Sequence, residues 1–96
     1  MIVVNITKNG LTVDGHAGYA ETGNDIICAA VSALAQGLIY SLDALTDDGI
    51  SYQVMDGHIG IQYENLSEQG KLLIDSFFIA VSAVQETYGA EYVCIK

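Results

Sequence analysis

Two long stripes of apolar residues at helical spacing, each following a pair of short β-rich runs, leave few folds open to this chain. Ile27, Val31, Leu34, Leu38, Leu42 and Leu45 recur three and four residues apart and define one face of a first helix. Leu73, Phe77, Val81, Val84 and Tyr88 do the same for a second. Ahead of the first stripe lie residues 2–6 and 11–13, split by Lys8, Asn9 and Gly10, and Asn-Gly between two such runs is a strong hairpin signal. Ahead of the second lie residues 50–55 and 59–63, joined by Asp56, Gly57 and His58. Thr46, Asp47, Asp48 and Gly49 end the first helix. Ser67 caps the second with Glu68 in its first turn, Gly89 ends it, and residues 91–95 close the chain as a strand. The order ββαββαβ predicts an α+β fold. It is a two-layer sandwich, a mostly antiparallel sheet of about five strands with two helices on one face.

The two halves also share residues. Ala30-Val31-Ser32-Ala33 recurs as Ala80-Val81-Ser82-Ala83, and at the same offset Gly10 falls on Gly60, Cys28 on Phe78 and His16 on Leu66. Four identical residues of common type point to a shared plan and do not prove duplication. The 96 residues are read as one domain, 1–96, with half its residues apolar and no proline. A formal charge of −9 disfavours nucleic acid and anionic membrane surfaces and attracts a basic partner. Residues 26–42 are uncharged, yet they are bounded by Asp25 and Asp43 and interrupted by Ser32, Gln36 and Ser41, which reads as a buried core helix. Two cysteines in different elements, with no leader recognised, point to a reduced cytoplasmic protein without a structural disulfide.

The chemistry-bearing groups gather where the first hairpin leads into the first helix. His16 ends the strand side, and a glycine-punctuated loop, residues 17–24, separates it from Asp25 and Cys28. A cysteine in a first helical turn meets free N–H groups and the positive end of the macrodipole, which favour a thiolate over a thiol. The ordinary role of such a cysteine is that of a small buried hydrophobe. His16 within reach of it would act as general base and acid. His58, in the second turn, is read as an ordinary histidine, at the surface or satisfied in the core, and not as a base. Asp25 is first a helix cap and second a group that orients His16. Ser32, one turn beyond Cys28, either donates to the sulfur or a substrate carbonyl, or bonds back to its own helix. The amide of Cys28 and its neighbours are the natural oxyanion donors. Gly15, Gly18 and Gly23 give the loop its conformational freedom and suit a lid. The loop lacks a phosphate-binding lysine or dinucleotide glycine spacing, and no cysteine or histidine pair has metal-ligand spacing, so neither cofactor nor metal is expected.

Gly15-His16-Ala17, followed by Gly23-Asn24-Asp25-Ile26-Ile27-Cys28-Ala29-Ala30-Val31-Ser32-Ala33-Leu34, closely resembles the signature of the ribosomal-processing cysteine proteases of Firmicutes and related bacteria. Length and element order match over the whole chain. The resemblance implies a homodimer with a Cys–His dyad, carried over onto Cys28 and His16, with Asp25 and Ser32 as accessory positions. It implies removal of the N-terminal extension of a basic large-subunit ribosomal protein after an aromatic residue, under a loop that covers the cleft. Two other classes stay open on the residues alone: a non-catalytic module that grips a basic peptide, and a thiol redox sensor at Cys28.

Overall fold

The computed structural model describes residues 1–21 and 23–96. The elements are β1 (Ile2–Thr7), β2 (Gly10–Asp14), α1 (Ile26–Leu45), β3 (Ile50–Met55), β4 (His58–Tyr63), α2 (Glu68–Tyr88) and β5 (Val93–Ile95). The five strands form one mixed sheet in the order β3-β4-β2-β1-β5, antiparallel except where β5 lies parallel to β1. The expected last strand is shorter than residues 91–95. Its first two positions belong to the turn that carries the chain out of α2, where the Tyr92 amide donates to Gly89 O at 3.1 Å.

Strand alternation sorts the sheet into two faces. Ile2, Val4, Leu11, Val13, Ile59, Ile61, Tyr63 and Val93 are buried on one of them, with Ile27, Val31, Leu38 and Leu42 of α1 and Ile74, Phe77 and Val81 of α2. Both helices therefore cover the same face. Helix α1 is long and apolar enough to cross a membrane, but its apolar stripe is part of this core. Leu45, at the tip of the predicted stripe, is exposed because the helix ends there: Thr46 Oγ1 donates to Leu42 O at 2.6 Å and turns the chain toward β3.

The internal repeat is real in the ladders, with a register that differs from the one the shared residues suggest. The pair Val4↔Val13 of the first hairpin has Tyr52↔Ile61 as its counterpart in the second, an offset of 48, and Thr12↔Gly60 joins the two hairpins at equivalent residues. The helices match at their caps: the Cys28 amide donates to the Asp25 carboxylate as the Gly70 amide donates to Ser67 Oγ. Gly70, rather than Phe78, is thus the counterpart of Cys28. The Ala-Val-Ser-Ala tetrapeptides sit at different depths in their helices and do not mark equivalent places. The physical reason is loop length, since residues 15–25 connect β2 to α1 whereas residues 64–67 suffice between β4 and α2. The longer connection of the first half is the segment that carries His16 and leads to Cys28.

Candidate active site

Asp25 organises this segment. Its Oδ1 accepts from the amides of Ile27 (3.1 Å) and Cys28 (3.0 Å), which makes it the cap of α1, and its Oδ2 accepts from the amides of Tyr19 (3.0 Å) and Ala20 (3.4 Å), which folds the loop back on the helix. One buried carboxylate therefore binds two separate stretches of backbone. The Cys28 amide bond, above all, holds the Asp25 carboxyl below its ordinary value of 3.8; burial opposes this, and the amides of Tyr19 and Ala20 and the Cys28 side chain add to the lowering. These partners give Asp25 the capping role expected first. The role expected second, orienting His16, has no bond among those described for this carboxylate.

The loop is also held from outside. Tyr19 packs edge-on against Tyr88 at the end of α2 and against Tyr92, with ring centroids 5.9 and 5.4 Å away. Gly15, Gly18 and Gly23 all have positive φ, so each of the three glycines singled out in the sequence serves a backbone turn here. The lid expected over residues 17–24 is described except at Thr22, which lies outside the described residues.

Cys28 is half-buried in the first turn of α1, and its Sγ accepts from the Ala17 amide at 3.2 Å. The amides of Ile27 and Cys28, expected to be free for an oxyanion, are both engaged by Asp25. The amide aimed at the sulfur comes instead from the residue after His16. The His16 carbonyl accepts from the Met1 amino group at 2.6 Å, and its imidazole lies over the β3–β4 turn. There Nε2 stands 3.9 Å from Asp56 Oδ1, and a Cβ at Gly57 would stand 3.1 Å from the same nitrogen.

The turn is fixed in that place by the sheet. Asp14 pairs with His58 across β2 and β4, their carboxylate and imidazole are bonded, and the Gly15 amide donates to Gly57 O at 2.8 Å. His58 is therefore a satisfied histidine, the partner of Asp14 on the open face of the sheet. Asp56, Gly57 and Ala17 escaped the sequence reading. Only the β2–β4 register brings residues 56–58 beside residues 14–16, and nothing local in the chain encodes that register.

His16 and Cys28 line one cleft of about 920 Å³. Its walls are Ser32 and Gln36 of α1 on one side and Val54 and Met55 of β3 on the other. Ser32 faces this space one helical turn beyond Cys28. Among the described residues no group of His, Cys, Asp and Glu is arranged to hold a metal ion. A thiol, an imidazole half exposed to solvent and a backbone donor beside the sulfur are the parts from which acyl transfer is built.

Residues 1–93 match the family described as cysteine protease Prp. The chain belongs to that family. A ribosomal processing cysteine protease Prp of Staphylococcus aureus is 30% identical over 97 residues, which span 92% of each protein. A Prp of Mycoplasma genitalium is 51% identical over a shorter stretch of 37 residues, 38% of this chain and 37% of its own. The fold agrees as well. The structure of the S. aureus Prp in complex with a covalently linked product peptide superposes with a TM-score of 0.92 at 27% identity, covering 100% of this chain and 98% of that one. A Streptococcus mutans protein superposes with a TM-score of 0.83 at 30% identity, covering 100% and 92%. Membership of the Prp family makes this chain a cysteine protease, with the α+β architecture expected from its sequence.

Proposed function

We propose that this cysteine protease removes the N-terminal extension of a basic large-subunit ribosomal protein, with Cys28 as nucleophile and His16 as general base and acid. The observation that carries the reading is the placement of both residues on one cleft, with the Ala17 amide 3.2 Å from the sulfur. His16, whose half-exposed ring lines the same cleft beside the β3–β4 turn, takes the thiol proton. Sγ attacks the scissile carbonyl carbon and forms a tetrahedral intermediate, whose oxyanion the Ala17 amide receives. Collapse to a thioester breaks the C–N bond, and His16 delivers its proton to the leaving amine. Water, deprotonated by His16, then hydrolyses the thioester and frees the thiol.

Asp25 acts through the backbone, by holding the Cys28 turn and the residues after His16 in one geometry. Ser32 supplies a hydroxyl to the substrate carbonyl from the cleft wall. The net charge of −9 suits a basic protein substrate and a protein that works among cytoplasmic ribosomal precursors. A second copy of the chain fits the outer helix layer, where Leu72 and Ile79 of α2 lie two turns apart and are 70% and 69% exposed.

The test is incubation of ribosomal precursor proteins with the wild-type protein and with Cys28→Ala, read by mass spectrometry. The reading predicts loss of a short N-terminal segment from one large-subunit precursor with the wild type and no cleavage with the variant. Cleavage by Cys28→Ala at the wild-type rate overturns it. A non-catalytic peptide-binding module would instead retain the precursor uncut with both proteins.

A further inference from the structure

Strand β1 has a neighbour on each side, whereas its counterpart β3 ends the sheet. The offset of 48 places Ile50, Tyr52 and Val54 where the first half has Ile2, Val4 and Ile6. On the outer edge of β1, the Ile2 amide donates to Tyr92 O (2.8 Å), the Lys96 amide donates to Val4 O (2.8 Å), and the Ile6 amide donates to Lys96 O (3.3 Å). These bonds seat β5 parallel to β1, with Ile2 opposite Val93 and Val4 opposite Ile95. Val4 and Val93 are consequently sealed from water.

The β3 edge has the same backbone groups, and no strand lies beside it among the described residues. Met55 and His58 flank the two-residue turn as its closing pair, so the alternation of an antiparallel ladder directs the N–H and C=O of Val54, Tyr52 and Ile50 away from β4. Their side chains lie on the helix-covered face, opposite the buried Ile59 and Ile61, yet Tyr52 is 57% exposed and Val54 49%. The edge is six residues long and carries no proline and no charge, the devices with which proteins usually block strand addition. At its Asp56 end it opens into the cleft that holds Cys28.

We propose that the substrate segment N-terminal to the scissile bond adds to β3 as a sixth strand, parallel to it, and presents apolar side chains at alternate positions to Tyr52 and Val54. This rests on the protease reading above and adds the path by which the substrate reaches Cys28. The occupant has the chemistry of β5, since Val93 and Ile95 already show what the equivalent edge of β1 accepts. A second copy of this chain is the poorer occupant. Each copy carries −9, and pairing two β3 edges closes the mouth of the cleft.

The experiment uses a synthetic peptide spanning the N-terminal extension and cleavage site of the ribosomal precursor, with a single backbone N-methyl group moved residue by residue. A strand paired along one edge bonds through every second residue. The expected profile therefore alternates, with kcat/KM falling about tenfold where the methyl removes a bonded N–H and staying near the parent value in between. In the parallel arrangement the sensitive positions lie between those whose apolar side chains are needed. A flat profile along the segment, for a peptide that is cleaved, overturns the pairing and leaves the protease reading standing. A wild-type protein that cleaves no precursor peptide overturns both.

Val54→Pro tests the same edge from the enzyme side, because this N–H faces away from β4 and its loss leaves the β3–β4 ladder whole. The expected result is a rise in KM of about tenfold, with the melting temperature and the rate of Cys28 alkylation by iodoacetamide kept. Wild-type KM in a folded Val54→Pro protein overturns the proposal. So does a variant that changes only the oligomeric state.

Discussion

The imidazole of His16 is seated on a residue without a side chain. Gly57 has φ +72, a conformation that L residues rarely adopt, and any Cβ there would press on His16 Nε2. Gly57→Ala therefore strains the turn and displaces the ring together. Its kcat is expected to fall, and alkylation of Cys28 by iodoacetamide is expected to slow with it, because the displaced ring is the group that takes the thiol proton. Peptide cleavage at the wild-type rate in that variant would show that the ring's seat has no part in the reaction. Asp56, 3.9 Å from the same nitrogen, is almost fully exposed, so its attraction is screened by water and salt.

Among the elements, the connection between β2 and α1 sets this half of the molecule apart from the other. Asp25 joins its two ends by taking amides from both, and that bond set depends on the carboxylate form. Because the folded carboxyl titrates below 3.8, this contribution to stability is fully present above the ordinary aspartate range and is lost as the pH falls through the folded value. Hydrogen exchange at the Tyr19 and Ala20 amides is expected to quicken over the same acid interval. Asp25→Asn should reproduce that effect at neutral pH, since an amide puts a donor where one pair of N–H groups needs an acceptor. Protection of those amides that is unaltered in the variant would mean that the tyrosine contacts alone hold the loop.

At the same scale, the sequence showed some features plainly and hid others. The stripe through Ile27, Val31, Leu38 and Leu42 was legible because helical periodicity is local, and so were the caps Asp25 and Ser67. The hairpins were legible for the same reason. Their mutual register was not: Gly10 and Gly60, which look equivalent in the sequence, pair with Gln62 and Thr12. Strand pairing joins residues far apart in the chain, and a shift of two keeps every apolar side chain on its own face. The neighbourhood of His16, Gly57 and Asp56 depends on that register, so half of the candidate site was out of reach. The thiol, the imidazole and the cap were visible because a single continuous segment carries all three.

For the molecule as a whole, the proposed function gives net charge a part in substrate capture. A chain of net charge −9 attracts a basic precursor over distances comparable to the Debye length. kcat/KM for the intact precursor should drop as salt is raised, while a short neutral peptide with the same cleavage site should show little dependence. Equal salt dependence for the two would remove any part for long-range attraction.

A nucleophilic Cys28 becomes covalently acylated during turnover, and an intact-protein mass spectrum of a rapidly quenched reaction detects the acyl group. The expected result is an adduct with the mass of the substrate's N-terminal segment. Peptide mapping should place it on Cys28, and it should be absent from Cys28→Ala. Cleavage that proceeds with no adduct on Cys28, in a reaction quenched before deacylation and with undiminished turnover by Cys28→Ala, would contradict the nucleophilic role.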